Sequence, residues 1–105
     1  MSADVFTVLA EPTRRGILDV LRERESTVSE LVEALQLSQP AVSKHLKVLR
    51  DHGFVSRRTA AQHRIYQLER TAFITLDAWL EPYREMWDRH LDALERHLDK
   101  QEDRQ

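Results

Sequence analysis

Side chains able to do binding chemistry gather in one run, Ser38-Gln39-Pro40-Ala41-Val42-Ser43-Lys44-His45-Leu46-Lys47-Val48-Leu49-Arg50. Ser38 is an N-cap residue, whose hydroxyl accepts from the free amides of a first helical turn. Pro40 falls inside that turn, where a missing N–H costs little. At 100° per residue, Val42, Leu46 and Leu49 share a narrow apolar edge. Pro40, Ser43, Lys44 and Lys47 lie on the other side, with Gln39 at the leading end. No acid interrupts the run before Asp51. Such a helix has the shape and charge to enter a DNA major groove, where an amide pairs with adenine and an ammonium with guanine or phosphate. His45 lies toward the apolar edge, beside Val42 and Leu49, so it is expected to be structural and hydrogen-bonded rather than a base reader. A plain solvated amphipathic helix would read the same way, so the weight falls on the surroundings.

Those surroundings are basic. The 105-residue chain carries a net charge of −2, yet Gln39 to Arg70 holds seven Lys or Arg against two acids, a local balance of +5. Residues 1–38 balance at −3 and residues 71–105 at −4. A basic middle between acidic ends is the footprint of a localised polyanion site.

The flanking elements place the run. Thr27-Val28-Ser29-Glu30 reads as a capping box, which starts a helix from about Val28 to Leu35 burying Val28, Leu31, Val32 and Leu35. Only Gln36 and Leu37 separate it from Ser38, so two short helices must cross steeply, as in a helix-turn-helix. Gly53 ends the second of them as a C′ residue. Phe54–Arg58 and Arg64–Leu68 alternate with period two around Thr59-Ala60-Ala61-Gln62-His63, which predicts a β-hairpin with a loop of four or five residues. Val55 and Ile65 are expected on one face, with Arg58 and Arg64 flanking the tip. Upstream, Val5, Phe6 and Leu9 mark a short helix over residues 2–10, and Pro12 opens another to about Arg22 that buries Ile17, Leu18 and Leu21. Gly16 inside it could mark a close helix–helix contact. The segment from about Thr71 to Lys100 is a long helix. Counted from Phe73, Leu76, Leu80, Tyr83, Trp87, Leu91, Leu94 and Leu98 fall within roughly 80°. The stripe keeps phase across Pro82, which favours a bend over a break.

Several classes fall away. With no cysteine there is no disulfide, thiolate metal site or cysteine nucleophile. No apolar run approaches the roughly 20 residues that span a bilayer, and no secretory pattern opens the chain, so a cytoplasmic protein without membrane partners is expected. No phosphate-cradling glycine loop, nucleophile motif or carboxylate pair suggests an enzyme. The expected fold is a single domain over residues 1–105, mainly α with a small β-hairpin. It is a winged helix-turn-helix, with the helix-turn-helix at about 27–52, the wing at about 54–68 and the C-terminal helix at about 71–100.

Linked segments carry a family resemblance: Leu9-Ala10-Glu11-Pro12-Thr13-Arg14-Arg15-Gly16-Ile17-Leu18, Thr27-Val28-Ser29-Glu30-Leu31, Leu37 to Leu46, Gly53-Phe54-Val55 and Tyr66-Gln67-Leu68. Together they resemble the ArsR (ArsR/SmtB) family of bacterial transcriptional regulators over roughly residues 5–70. Trp79-Leu80-Glu81-Pro82-Tyr83, with Trp87 and Leu91, is similar to a metal-independent branch. The resemblance implies a homodimeric repressor of double-stranded DNA, acting on an inverted-repeat operator and often on its own operon. It implies that Gln39, Pro40, Ser43, Lys44 and Lys47 face the operator and that Arg57, Arg58, His63 and Arg64 meet flanking backbone or minor groove. The family's wing glycine is missing. The dimer would join Val5, Phe6 and Leu9 of the first helix to Leu76, Trp79, Leu80, Tyr83, Trp87, Leu91, Leu94 and Leu98 of the last. Arg14 and Arg15 are expected to be structural, and Trp79, Tyr83, Met86 and Trp87 to be core or interface rather than a ligand pocket.

No cofactor or metal is expected. The family's thiolate positions hold Thr27, Ser29 and Val32, which are not soft ligands. Asp88-x-His90 is present, but His97 follows too closely and Lys100 stands where an acid would complete the site. Two alternatives remain open: an interaction module without DNA binding, and a metal-responsive repressor using the last helix. Any small-molecule effector is unknown.

Overall fold

The computed structural model describes residues 4–103, with side chains described through Lys100. Among the described residues, five helices and three short strands follow one another: α1 (Val5–Ala10), α2 (Pro12–Glu23), β1 (Ser26–Thr27), α3 (Val28–Leu35), α4 (Gln39–Asp51), β2 (Val55–Ala60), β3 (His63–Leu68) and α5 (Arg70–Asp103). The chain divides into two compact units, Met1–Thr75 and Leu76–Gln105.

In the first unit, helix starts follow local capping chemistry. The Asp4 carboxylate accepts from the Thr7 amide at 2.9 Å and opens α1. The first positions of the expected 2–10 helix lie outside the described residues. Glu11 caps α2 ahead of Pro12. Thr27 and Glu30 form both halves of the capping box: the Glu30 amide donates to the Thr27 hydroxyl at 3.2 Å and the Thr27 amide to the Glu30 carboxylate at 3.0 Å. The Ser38 hydroxyl accepts from the Ala41 amide at 3.3 Å. The capping box and the Ser38 cap are those expected from the sequence, and α3 has the expected bounds; the Asp4 and Glu11 caps are additions.

The turn between α3 and α4 is made by Gln36 in the left-handed region, at φ 56° and ψ 44°. Its side chain donates to the Glu33 carbonyl at 2.7 Å, which helps hold a conformation usually left to glycine. At the far end of α4, the Gly53 amide donates to the Arg50 carbonyl at 3.2 Å and the Phe54 amide to the Leu49 carbonyl at 2.9 Å. With Gly53 at φ +81°, this is a Schellman stop.

The sheet departs from expectation in three ways. It has three strands in the order β1-β3-β2, because Ser26 and Thr27 pair antiparallel with Tyr66 and Ile65. The hairpin connection is two residues, Ala61 and Gln62, since Ala60 already pairs with His63. Ala61 supplies the positive φ, 55°, that a two-residue hairpin needs. The register sets Arg57 opposite Tyr66, Arg58 opposite Ile65 and Thr59 opposite Arg64. Directly paired residues share a face, so Val55 and Ile65 lie on opposite faces rather than one.

The core of this unit is Val8, Ile17, Leu18, Leu21, Leu31, Val42, Leu46, Leu49, Phe54, Val55, Tyr66 and Ala72. Phe54 is fully buried and meets Phe73 edge-on at 5.4 Å between ring centroids. Of the four α3 residues expected inside, only Leu31 is buried; Val28, Val32 and Leu35 are half-buried, because an eight-residue helix covers its neighbours with one turn of its face. In α1 the buried residue is Val8, while Val5 and Leu9 are half-buried and Phe6 is exposed.

In the second unit the helix runs through Pro82 without a break. Proline removes one amide donor and crowds the carbonyl of the preceding turn. Arg84 spans that turn, donating to the Asp77 carboxylate at 2.6 Å, to the Asp77 carbonyl at 3.3 Å and to the Glu81 carboxylate. The guanidinium holds the Asp77 carboxyl below the usual carboxylate range, and both acids raise the guanidinium further. Trp79, Leu80, Tyr83, Trp87, Leu91, Leu94 and Leu98 are all exposed along this helix, Trp87 at 58%. Trp79 and Tyr83 stack tilted at 4.8 Å between centroids. Leu76 is half-buried.

Candidate nucleic-acid interface

Helix α4 has one edge sunk in the core and one turned out. Val42, Leu46 and Leu49 are at most 1% exposed, and Gln39, Pro40, Ser43, Lys44 and Lys47 are exposed. His45 belongs to neither edge. Its Nδ1 accepts from Arg14 Nε at 3.3 Å, so the imidazole is tied to α2. Arg14 also donates to the Val8 carbonyl at 3.4 Å, and Arg15 to the Leu9 and Ala10 carbonyls at 2.7 and 3.3 Å. Both arginines therefore satisfy open carbonyls at the end of α1, a structural use.

The wing divides its four candidate residues between two faces. Arg57 and Arg64 lie with Tyr66 on one face of the β2–β3 pair; Arg58 and His63 lie with Ile65 on the other. The Arg57 guanidinium donates to the Tyr66 hydroxyl at 3.3 Å. Arg58 is paired with Glu25, which precedes β1. That pairing turns Arg58 back over the sheet and away from the Arg57 face.

A concavity of about 350 Å³ joins α4 to the Arg57 face. Gln39, Ser43, Lys47 and Arg50 line it from α4, Arg57, Arg64 and Tyr66 from the wing, and Val28 from α3. Five of the nine residues expected to contact DNA thus converge, while Pro40, Lys44, Arg58 and His63 lie outside it. Arg50 and Tyr66 are additions. The signal for Arg50 was present, since Gln39, Ser43, Lys47 and Arg50 repeat at spacings of four, four and three along one helical stripe. Tyr66 needed the strand register.

Electrostatically the concavity is one-sided. Four cations line it and no acid does. Lys47 leans on Asp51 at 3.0 Å, and the ammonium holds the Asp51 carboxyl below the usual carboxylate range. Such an exposed i,i+4 pair is worth only about 0.3–0.5 kcal/mol, so a phosphate oxygen can replace the carboxylate at little cost. Among the described residues, no three His, Cys, Asp or Glu are grouped to hold a metal ion. No described helix is long and apolar enough to cross a membrane.

Residues 11–57 match the family described as bacterial regulatory protein, arsR family. The chain is 38% identical over 98 residues to the HTH-type transcriptional regulator Rv2034 of Mycobacterium tuberculosis, spanning 93% of this chain and 89% of that one. The chain belongs to the ArsR family. The Bacillus subtilis transcriptional repressor SdpR is another relative, 31% identical over 77 residues, with 73% of this chain and 86% of that one covered. Among solved structures, an ArsR-like transcriptional regulator from Rhodococcus sp. RHA1 superposes with a TM-score of 0.69 at 30% identity, over 86% of this chain and 85% of that one. ArsR-family proteins are DNA-binding transcriptional regulators that act as dimers, not enzymes. The winged helix-turn-helix of this chain is the ArsR arrangement.

Proposed function

We propose that this chain is a homodimeric transcriptional repressor that reads an inverted-repeat operator with α4. The observation that carries the reading is the outward edge of α4, with Gln39, Ser43, Lys44 and Lys47 exposed opposite a fully buried edge. Gln39 and Ser43 offer hydrogen bonds to base edges, and Lys44 and Lys47 offer ammonium groups to guanine or phosphate. The exposed stripe of the C-terminal helix supports a second copy of the chain as its cover, since monomers rarely expose so continuous an apolar surface. Phe6 of α1, also exposed, is assigned to the same interface. A twofold dimer sets half-sites about one helical turn apart, roughly 34–36 Å. The chain is assigned to a metal-independent branch of the family, because it has no cysteine and Lys100 stands where the resemblance places the acid that would complete the Asp88-x-His90 site.

The test is a gel-shift titration on the region upstream of the chain's own gene. Lys44→Ala with Lys47→Ala is expected to weaken binding at least tenfold, with dimer mass unchanged. Undiminished affinity overturns the assignment of α4. Neither a chelator nor added divalent metal is expected to change wild-type affinity, and a change with either one favours the metal-responsive alternative.

A further inference from the structure

A helix that reads DNA must be held in place, and apolar packing alone does not fix it. Val42, Leu46 and Leu49 bury one edge of α4, but apolar burial is non-directional. A binding constellation has to be held within about 0.5 Å and 10–20°. Among the described side chains of α4, His45 is the one hydrogen-bonded to another helix. Its partner Arg14 stands in the first turn of α2 and is half-buried, as His45 is. The same guanidinium donates to the Val8 carbonyl at 3.4 Å. Four residues on from Val8 stands Pro12, which has no N–H to give that carbonyl. Arg14 thus replaces the missing amide at the end of α1 with one nitrogen and reaches α4 with another.

We propose that Arg14 is a positioning residue for DNA binding: through His45 it sets α4 against the end of α1, and it does so only while the imidazole is neutral. The proposal rests on the DNA-binding reading above. An imidazole that accepts at Nδ1 carries its proton on Nε2 and is uncharged. A second proton turns Nδ1 into a donor, which breaks the bond and sets an imidazolium against a guanidinium. Helices α2 and α3 and strand β2 pack against α4. From α2, Arg14 is the charged group at the imidazole, and Glu11 is committed to the Thr13 amide. On α3, Glu30 is tied to Thr27 and Glu33 is exposed. On β2, Arg57 and Arg58 are tied to Tyr66 and Glu25. One turn away on α4 itself stand Ala41, Val42, Val48 and Leu49, all uncharged, and α1 has no charged residue. The placed helix therefore favours neutral His45, and operator affinity falls as pH falls.

The assay is fluorescence anisotropy on a duplex of the chain's own upstream region, at about pH 8 and about pH 5.5, within the span in which imidazoles change charge. Circular dichroism checks that each protein is folded at both. At the higher pH, Arg14→Gln is expected to weaken binding about tenfold, with the slope of log K against log salt unchanged. A slope lowered by about 0.9 per protomer makes Arg14 a phosphate contact and overturns the proposal. His45→Leu is expected to give a similar loss, and both substitutions together no more than about tenfold, because each removes the same bond. Losses that multiply to about a hundredfold mean independent action and overturn the proposal. His45→Asn supplies the readout that a merely stabilising contact leaves alone, since it keeps an acceptor where Nδ1 stands and takes no proton. Its loss of affinity between the two pH values is expected to be smaller than the wild-type loss by about threefold or more; the other histidines titrate in both proteins. An equal loss in wild type and His45→Asn overturns the proposal and leaves His45 a packing residue. Should Arg14→Gln not fold, His45→Asn decides alone. Failure of the wild-type protein to bind the duplex at the higher pH and low salt overturns the DNA reading itself, and this proposal with it.

Discussion

The chain has two glycines, and the same substitution at each should move stability in opposite directions. Gly53 stands at φ +81°, one residue past the cap of α4, with its amide in the Schellman stop and its carbonyl accepting from the Ala72 amide at 3.0 Å. Alanine in the left-handed region costs about 1–2 kcal/mol. The smaller entropy of the unfolded chain returns about 0.4–1 kcal/mol. A Cβ at Gly53 would also stand 3.4 Å from Thr71 Cβ, with little slack. Gly53→Ala should therefore destabilise by about 1 kcal/mol. Gly16 lies inside α2 with no positive φ, and a Cβ there would meet Leu35 Cδ2 at 3.5 Å, an ordinary contact. No helix–helix approach at Gly16 is close enough to require glycine, and a methyl fits. Gly16→Ala should stabilise by about 0.5–1 kcal/mol through helix propensity. Equilibrium urea unfolding, followed by circular dichroism at one fixed protein concentration, reads both variants; a melt should separate them by roughly 6–16 °C for a domain this small. The fixed concentration matters because association adds to apparent stability. If both variants move the same way, backbone conformation is not what distinguishes these positions, and the reasoning fails.

Acid should loosen the helix starts. The Thr27 amide holds the Glu30 carboxyl below the usual range, and the Thr7 amide does the same for Asp4. Lowered folded-state values mean that this stability is complete at neutral pH and is lost as pH falls through the ordinary carboxylate range near about 4. Glu30→Gln keeps an acceptor for the Thr27 amide but removes the charge, so its urea midpoint should fall less between pH 7 and pH 3 than that of the wild-type protein. Arg14→Met removes the donor to His45 Nδ1 and to the Val8 carbonyl. It should cost about 1–3 kcal/mol in urea unfolding, while Arg22→Met, exposed and paired only with its neighbour Glu23, should cost less than about 0.5 kcal/mol. Leu91→Glu places a charge in the apolar stripe of the C-terminal helix. Light scattering should then show a shift from dimer toward monomer, and an unchanged dimer mass removes the stripe from the interface.

What could be read from the sequence was whatever one turn of helix decides for itself. Thr27 with Glu30, Ser38 with Ala41, and Gly53 after α4 are interactions across three residues or fewer, and each stands where it was expected. The exposed edge of α4 followed from those boundaries, because a helix with known ends and three buried positions has only one side left for solvent. The wing was different. A loop of four or five residues, with Arg58 and Arg64 flanking it, implies that those two residues pair. The actual connection of two residues pairs Arg58 with Ile65 instead. A slip of one residue exchanges the faces of a strand, and here it decides which arginines join α4. The slip was invisible because Ala61 takes the positive φ without glycine or asparagine to announce it, as Gln36 does between α3 and α4. Strand β1 escaped for a related reason: two residues have no period of their own, and Ser26 finds its partner 40 positions away at Tyr66. That long-range pairing governs the geometry of the site. It anchors the start of α3 to the same strand that carries Arg64 and Tyr66. The helix-turn-helix and the Arg57 face of the wing thus share one hydrogen-bonded frame, and the placement of Arg57 and Arg64 beside α4 is set by the sheet rather than by a flexible loop.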